Sequence, residues 1–239
     1  WIDKNAKVVG GLAMPWSYAV NTPLYYIHQA KKNQKEILLP DATITNDEKS
    51  VMVLVIGESA RSENFSLYGY SKNTNPLLSK IENLHNFNAT SCATYTTAGL
   101  KCILEHENSN DLYEILPNYL NRNDVDVIWR TTNWGEPPVH IEKYKKRENL
   151  IENCEGIGCD YDEILLAGLK DEILNSNKKK ILIILHTSTS HGPTYSKKYP
   201  PQFEVFKPVC NSVEVANCSQ EELINAYDNT IVYTDFILS

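Results

Sequence analysis

The sequence has no run of about 18 apolar residues, so no transmembrane helix is expected. It shows no export signal. It also lacks a surplus of basic charge. Lys and Arg number 23 against 30 Asp and Glu, for a net charge of −7, which argues against nucleic acid as the main partner. Anionic lipid is not excluded, because lysines cluster locally: Lys143, Lys145 and Lys146 with Arg147; Lys178 to Lys180; and Lys197 with Lys198. For the first two clusters a solvated face is the plainer reading. There is no internal repeat and no low-complexity tract. What is present is a chain of 239 residues, 42% hydrophobic and 22% charged. That suits one large α/β domain, or one domain with an appended segment, and it excludes general disorder.

The six cysteines form three close pairs, Cys92/Cys102, Cys154/Cys159 and Cys210/Cys218. Proximity suggests three local bridges. A zinc cluster is the rival reading; it usually wants pairs spaced by about two to four residues, and only Cys154/Cys159 comes close. Short disulfide loops fit better, each worth on the order of 2.5–3 kcal/mol in the chain-entropy model. Buried free thiols are the bland alternative. Bridges imply an oxidising compartment, periplasm or cell exterior. A disulfide protein without an export signal is expected to be part of a longer chain. The far end agrees: "CSQEELINAYDNTIVYTDFILS" reads as a helix with Ser219 as N-cap and Glu222 completing a capping box. It reaches Ser239 with no glycine or proline stop signal.

Residues 1–50 stand apart as a membrane-proximal linker segment. They carry Trp1, Trp16, Tyr18, Tyr25 and Tyr26, then the polar stretch "KKNQKE". Aromatics beside lysines suit a membrane interface, and ordinary packing suits them equally. Residues 51–239 read as a separate domain of strands alternating with helices. Val51–Ile56, "VDVIWRTTN" and "KKILIILHTSTSHG" read as three buried strands. A short helix is expected in "TNPLLSKIENL", one helix or two short ones broken at Pro117 in "DLYEILPNYLNRN", and an amphipathic helix in "DYDEILLAGLKDEILNS". Continuous apolar strands alternating with helices indicate an α/β fold, a mostly parallel sheet with helices on both faces.

In such sheets ligands sit beyond the carboxyl ends of the strands. The first strand delivers Gly57-Glu58-Ser59 there; the second Arg130, Thr131, Thr132 and Asn133; the third His186, Thr187, Ser188 and Ser190-His191-Gly192. Glu58 is placed to hold a cation, or else to cap a helix or pair with Arg61; the pattern does not choose. Ser59 as nucleophile is weak, since "GESAR" puts Arg61 where the second glycine of a nucleophile elbow belongs. Thr94, Thr96 and Thr97 lie between Cys92 and Cys102. A threonine hydroxyl needs a base or a metal to act as nucleophile. By pattern alone this is a threonine-rich surface turn.

"VLVIGESARSENFSLYGYSKNTNPLL", "CATYTTAGLKC", "CDYDEILL" and "SHGPTYSKKYPPQFEVFKPVC…CSQEELINAYDNTIVYTD" change that weighting. Together they resemble the periplasmic catalytic domain of the lipid A phosphoethanolamine transferases, a family that includes the mobile colistin-resistance enzymes and has the alkaline phosphatase/sulfatase-like fold. The resemblance runs from Val51 to the end of the chain. It implies that Glu58 matches a zinc-binding glutamate and Thr96 the nucleophilic, zinc-ligating threonine. His191 matches a histidine near the transferred phosphoryl group. The family's remaining zinc ligands, an Asp-His pair, and a further histidine are expected beyond Ser239; Asp235 is not that aspartate, because no histidine follows it. One stretch departs from the family. After "WR" the family often has an Asn-rich segment and then Lys-Gly-Val, whereas here "TTNWGEPPVHIEKY" has no lysine before Lys143. Trp134 and Glu136 are therefore candidates for binding ethanolamine, by cation–π contact and charge pairing. Lys197 is a candidate for anionic head groups, with a plain solvated pair as its alternative.

The resemblance further implies a Zn2+ cofactor, a phosphatidylethanolamine donor, a lipid A or lipooligosaccharide acceptor and a phospho-threonine intermediate. It implies a monomer at the periplasmic face of the bacterial inner membrane, anchored by N-terminal helices that this chain lacks. The rival functions are a metal-dependent phosphodiesterase or hydrolase with water as acceptor, and an inactive binding module. A sulfatase would need a C/S-x-P-x-R motif, and none is present.

Overall fold

The computed structural model of the protein describes residues 16–32, 35–107, 109 and 111–239. They divide into two compact units, one of the described residues up to 39 with those of 109–114, the other of 40–107 with 115–239. The first unit contains helix α1, Trp16–Lys32, with Pro23 inside it. Tyr18, Tyr25 and Tyr26 are exposed on it. Trp1 and the Trp16 side chain lie outside what is described. Ile37 forms a parallel bridge with Tyr113, and the Leu39 N–H donates to the Glu114 carboxylate at 2.6 Å. No helix among the described residues is long and apolar enough to cross a membrane.

The second unit is built on a four-stranded sheet: β1 Ser50–Ile56, β2 Asp126–Thr131, β3 Lys143–Lys146 and β4 Lys180–His186. Every pairing is parallel and the order is β1-β4-β2-β3. Alternation along the strands splits the core in two. Ile56, Val127, Trp129, Leu182 and Ile184 face one side and pack on Leu100, Leu104 and Ile115. Ile128, Ile181, Ile183 and Leu185 face the other and pack on Leu150, Ile164, Leu165 and Leu169. Residues 40–49 run along this unit: Asp41 pairs with Arg122, the Ala42 N–H donates to Asn123, and Asp47 pairs with Lys179.

The helices are α2 Thr96–Leu104, α3 Leu116–Arg122, α4 Arg147–Leu150, α5 Leu169–Leu174 and α6 Gln220–Leu238. The capping box of α6 is formed, with the Ser219 hydroxyl accepting from the Glu222 N–H. Its residues from Asn225 to Asp235 are all buried, two aspartates among them. Asp228 accepts from Asn64, Tyr70 and Lys72. Asp235 accepts from the N–H groups of Leu77 and Leu78, which start the 3-10 turn Leu78–Lys80. Asp235 thus serves as a cap for that turn.

Four local expectations need correction. β1 is an edge strand, with Met52 69% exposed, because β4 pairs with only one of its sides and only Ile56 is buried. A short helix in "TNPLLSKIENL" shrinks to that 3-10 turn. Pro117 starts α3 rather than breaking a longer helix, since its missing N–H costs nothing in the first turn. "DYDEILLAGLKDEILNS" is a 3-10 stretch, Asp162–Leu166, and then α5, because Gly168 between them adopts φ +63°. β3 was not anticipated. "KYKK" carries little apolar signal; Tyr144 packs on Trp129, and Lys143 and Lys145 pair with Asp126 and Glu172.

Candidate active site

Sheet register decides what can meet. His186, the last residue of β4, pairs with Ile56 of β1 and with Thr131 of β2. The adjacent strands β1, β4 and β2 therefore end level, and the residues just beyond them share one rim. A cleft of about 1170 Å³ opens there. Glu58, Thr96 and His186 lie in its wall, beside the aromatic rings of Phe65, Tyr95 and Tyr227.

Glu58 is the hub. Its Oε1 accepts from the Ser59 hydroxyl at 2.7 Å. Its Oε2 accepts from the Thr96 hydroxyl at 2.9 Å and from the Asn133 amide at 3.0 Å. Burial pushes the carboxyl up, but these three hydrogen bonds and the nearby His191 outweigh it and hold the carboxyl below its ordinary 4.5. Arg61 is engaged elsewhere, with Asn64 at 2.9 Å and over the Tyr227 ring at 5.1 Å, so Glu58 is not its ion-pair partner. Ser59 supports the carboxylate rather than standing free. Its φ of +51°, a left-handed value that costs a non-glycine residue energy, turns the chain sharply at this point.

Thr96 is the first residue of α2. The opening N–H groups of a helix have no intrahelical partners, and its dipole favours anions there. The Cys92–Cys102 disulfide spans 10 residues and ties the preceding loop to α2. Cys154–Cys159 and Cys210–Cys218 are also bonded, so all three proximity pairs form and no cysteine is free.

The loop after β2 touches every other part of the site. Asn133, buried, donates to Glu58 and to the Thr187 carbonyl. Gly135 packs on Thr96: a Cβ there would lie 3.6 Å from the threonine Cβ, and φ +89° favours glycine. The Trp134 ring, 60% exposed, lies 4.9 Å from that of His191. His191 also contacts the Gly192 carbonyl through Nδ1 at 2.9 Å. Glu136 turns inward, its Oε1 3.0 Å from His186 Nδ1 and 2.7 Å from the Thr131 hydroxyl. Lys197 ends the 3-10 turn Tyr195–Lys197, exposed, and its side chain is linked to none of these residues.

Arg130 does not join the rim. Alternation points it to the opposite face, where it donates to the Leu165 and Ala167 carbonyls and pairs with Glu172 at 2.6 Å. Asn133 and His186 were visible only as polar residues at strand tips; nothing in the sequence marked the first as the partner of Glu58 or the second as buried. Among the described residues no three His, Cys, Asp or Glu side chains gather to hold a metal. Glu58 and Thr96 together offer two adjacent oxygen donors, which fits part of a divalent-ion site.

The sulfatase family profile matches residues 50–239. The chain is 47% identical over 244 residues to the phosphoethanolamine transferase EptA of Helicobacter pylori, covering 100% of this chain and 46% of the relative. It superposes on the integral membrane lipooligosaccharide phosphoethanolamine transferase A (EptA) from Neisseria meningitidis with a TM-score of 0.75 and 29% identity, covering 98% of this chain and 46% of that one. It also matches the C-terminal periplasmic domain of EcEptC from Escherichia coli, in complex with Zn, with a TM-score of 0.59 and 27% identity, covering 81% and 58%. The chain thus spans about half the length of the curated relatives it matches.

Proposed function

The chain belongs to the sulfatase family, and from that premise we propose that it forms the reaction core of a phosphoethanolamine transferase. The donor in this reading is phosphatidylethanolamine, the acceptor lipid A or lipooligosaccharide, and the setting the periplasmic face of the bacterial inner membrane. The observation that carries the reading is the 2.9 Å contact between the Thr96 hydroxyl and the Glu58 carboxylate, at a helix N-terminus in the wall of the cleft.

Glu58 and Thr96 would hold a zinc ion, with further ligands from outside the described residues. Zinc bound there would lower the pKa of the threonine hydroxyl and polarise the phosphoryl oxygen. Thr96 Oγ1 attacks phosphorus in line, a Thr96 O–P bond forms, and the bond from phosphorus to the diacylglycerol oxygen breaks. Diacylglycerol leaves, its oxygen gaining the proton that the Thr96 hydroxyl gives up on attack, and phosphoethanolamine stays on Thr96. An acceptor phosphate or hydroxyl then attacks the same phosphorus and frees the threonine. The opening N–H groups of α2 favour the anionic phosphoryl group, and His191 binds or protonates one of its oxygens. Trp134, exposed beside His191, offers a ring face to the ethanolammonium.

The test is mass spectrometry of the enzyme quenched after exposure to phosphatidylethanolamine, together with transfer assays. Phosphoethanolamine is expected on the peptide containing Thr96, and Thr96→Ala is expected to lose both adduct and transfer. Transfer by Thr96→Ala would overturn the assignment.

A further inference from the structure

His186 is 1% exposed and ends the central strand, yet the steps above give it no role. Its Nδ1 meets two oxygens, Glu136 Oε1 at 3.0 Å and Thr131 Oγ1 at 3.2 Å. Hydrogen-bond inventory fixes which atom carries the proton. Thr131 has one hydroxyl proton, and its shortest acceptor is Glu136 Oε1 at 2.7 Å. Toward the imidazole Thr131 therefore presents a lone pair. Burial pushes the Glu136 carboxyl up, but hydrogen bonds from His186 and Thr131 outweigh it and hold it below its ordinary 4.5. An ionised carboxylate only accepts. Both neighbours of Nδ1 are acceptors, so Nδ1 bears a hydrogen.

Nε2 has no protein hydrogen-bond partner among the described residues, and the residue lines the same cleft as Thr96 and Glu58. We propose that Glu136 is a positioning residue that holds the Nδ1–H tautomer of His186, leaving Nε2 as the ring atom that takes and returns a proton in the cleft. Building on the transferase reading, that proton is the one Thr96 loses on attack and the departing diacylglycerol oxygen gains. Glu136 thus acts through the imidazole and does not contact the ethanolamine. The arrangement follows the carboxylate–histidine logic by which a buried acid fixes tautomer and ring orientation.

The experiment has a spectroscopic arm and a kinetic arm. Histidine is labelled with 15N in the zinc-loaded protein, His186 is assigned by comparison with His186→Asn, and ring tautomers are read from 15N–1H correlations. The expected result is an Nδ1–H signal for His186 in the unsubstituted protein. In Glu136→Ala the proton is expected to move to Nε2, because the Thr131 hydroxyl is then free to donate to Nδ1. Transfer should fall in kcat by about 10²–10⁴, with KM for phosphatidylethanolamine little changed; Glu136→Gln, which keeps an acceptor oxygen, should recover part of the rate. An Nε2–H tautomer in the unsubstituted protein overturns the proposal whether or not any variant folds. A rise in KM with unchanged kcat in Glu136→Ala also overturns it, in favour of direct substrate contact. If Thr96→Ala still transfers while His186 keeps its Nδ1–H signal, the transferase mechanism fails and the positioning role stands.

Discussion

Asp162 joins the two loops that carry the site, and removing its carboxylate should destabilise the protein measurably. It is 3% exposed. Its Oδ2 accepts from the N–H of Ser188 at 2.8 Å, the N–H of Thr189 at 2.7 Å and the Thr189 hydroxyl. Its Oδ1 accepts from the hydroxyls of Thr132 and Ser188. In Asp162→Ala the three hydroxyls can rotate to other partners, but the two backbone N–H groups cannot. Each buried donor left without an acceptor costs about 1–3 kcal/mol, so the pair should cost about 2–6 kcal/mol. That is a large part of the roughly 5–15 kcal/mol available to a typical domain. Asp162→Asn keeps one acceptor oxygen but turns amide hydrogens toward the donors, and should fall between the two. Urea denaturation followed by tryptophan fluorescence measures the effect, since Trp129 and Trp134 flank Thr132. Trp134 and His191 lie on the loops that Asp162 joins, so transfer should fall as well. A loss of stability below about 1 kcal/mol in Asp162→Ala would refute the reasoning, because it would mean the two N–H groups have other acceptors.

Asn133→Ala removes one of the donors on Glu58 and should weaken zinc binding by the holoenzyme about 10–100-fold, read by competition with a chromophoric chelator; unchanged affinity would show that Asn133 does not orient the ligand. Trp134→Ala should raise KM for phosphatidylethanolamine; unchanged donor kinetics would dismiss the cation–π contact. Replacing Cys92 and Cys102 together by alanine opens a loop of 10 residues and should cost about 2.5 kcal/mol in thermal or urea unfolding. Stability should also fall in acid. Burial pushes Glu172 up, but Arg130 and Lys145 outweigh it and hold its carboxyl below the ordinary 4.5. Its contribution is present above that value and is lost as pH falls through the lower folded one, so unfolding followed from neutral pH downward should show a drop that Glu172→Gln lacks.

The parallel α/β architecture was legible because β4 and β2 are apolar runs buried on both faces, which leave little doubt about period or type. The capping box of α6 was legible because it is a local chemical device. β3 was not, because a short edge strand of three lysines and one tyrosine has little apolar signature. The exposure of β1 was hidden for a related reason: its composition is that of a central strand, and only the strand order reveals that β4 covers one side. Within the site, Glu58 and Thr96 stood out by their places in motifs. Asn133, His186 and Asp162 did not, because their roles depend on partners 75, 50 and 26 residues away. No local pattern encodes such contacts.

The same register explains how the loop after β2 can carry residues other than those the resemblance leads one to expect without dismantling the centre. Ile56, His186 and Thr131 are neighbours across three paired strands. The backbone thus brings His186 and the starts of the loops that carry Glu58 and Asn133 to one level. Asn133 is held by the strand end itself, since its N–H donates to the Thr131 hydroxyl and its amide reaches the Thr187 carbonyl. The residues that differ from the family's Lys-Gly-Val pattern come after that anchor. They alter what faces His186 and His191, namely Glu136 and Trp134, and leave the Asn133–Glu58 contact in place. A change in residues 134–137 is therefore expected to act on the wall beside the imidazoles. Exchanging residues 134–137 for the family's segment should change donor kinetics and the His186 tautomer while sparing zinc affinity, and a parallel loss of zinc affinity would show that the loop, not the sheet, sets the position of Glu58.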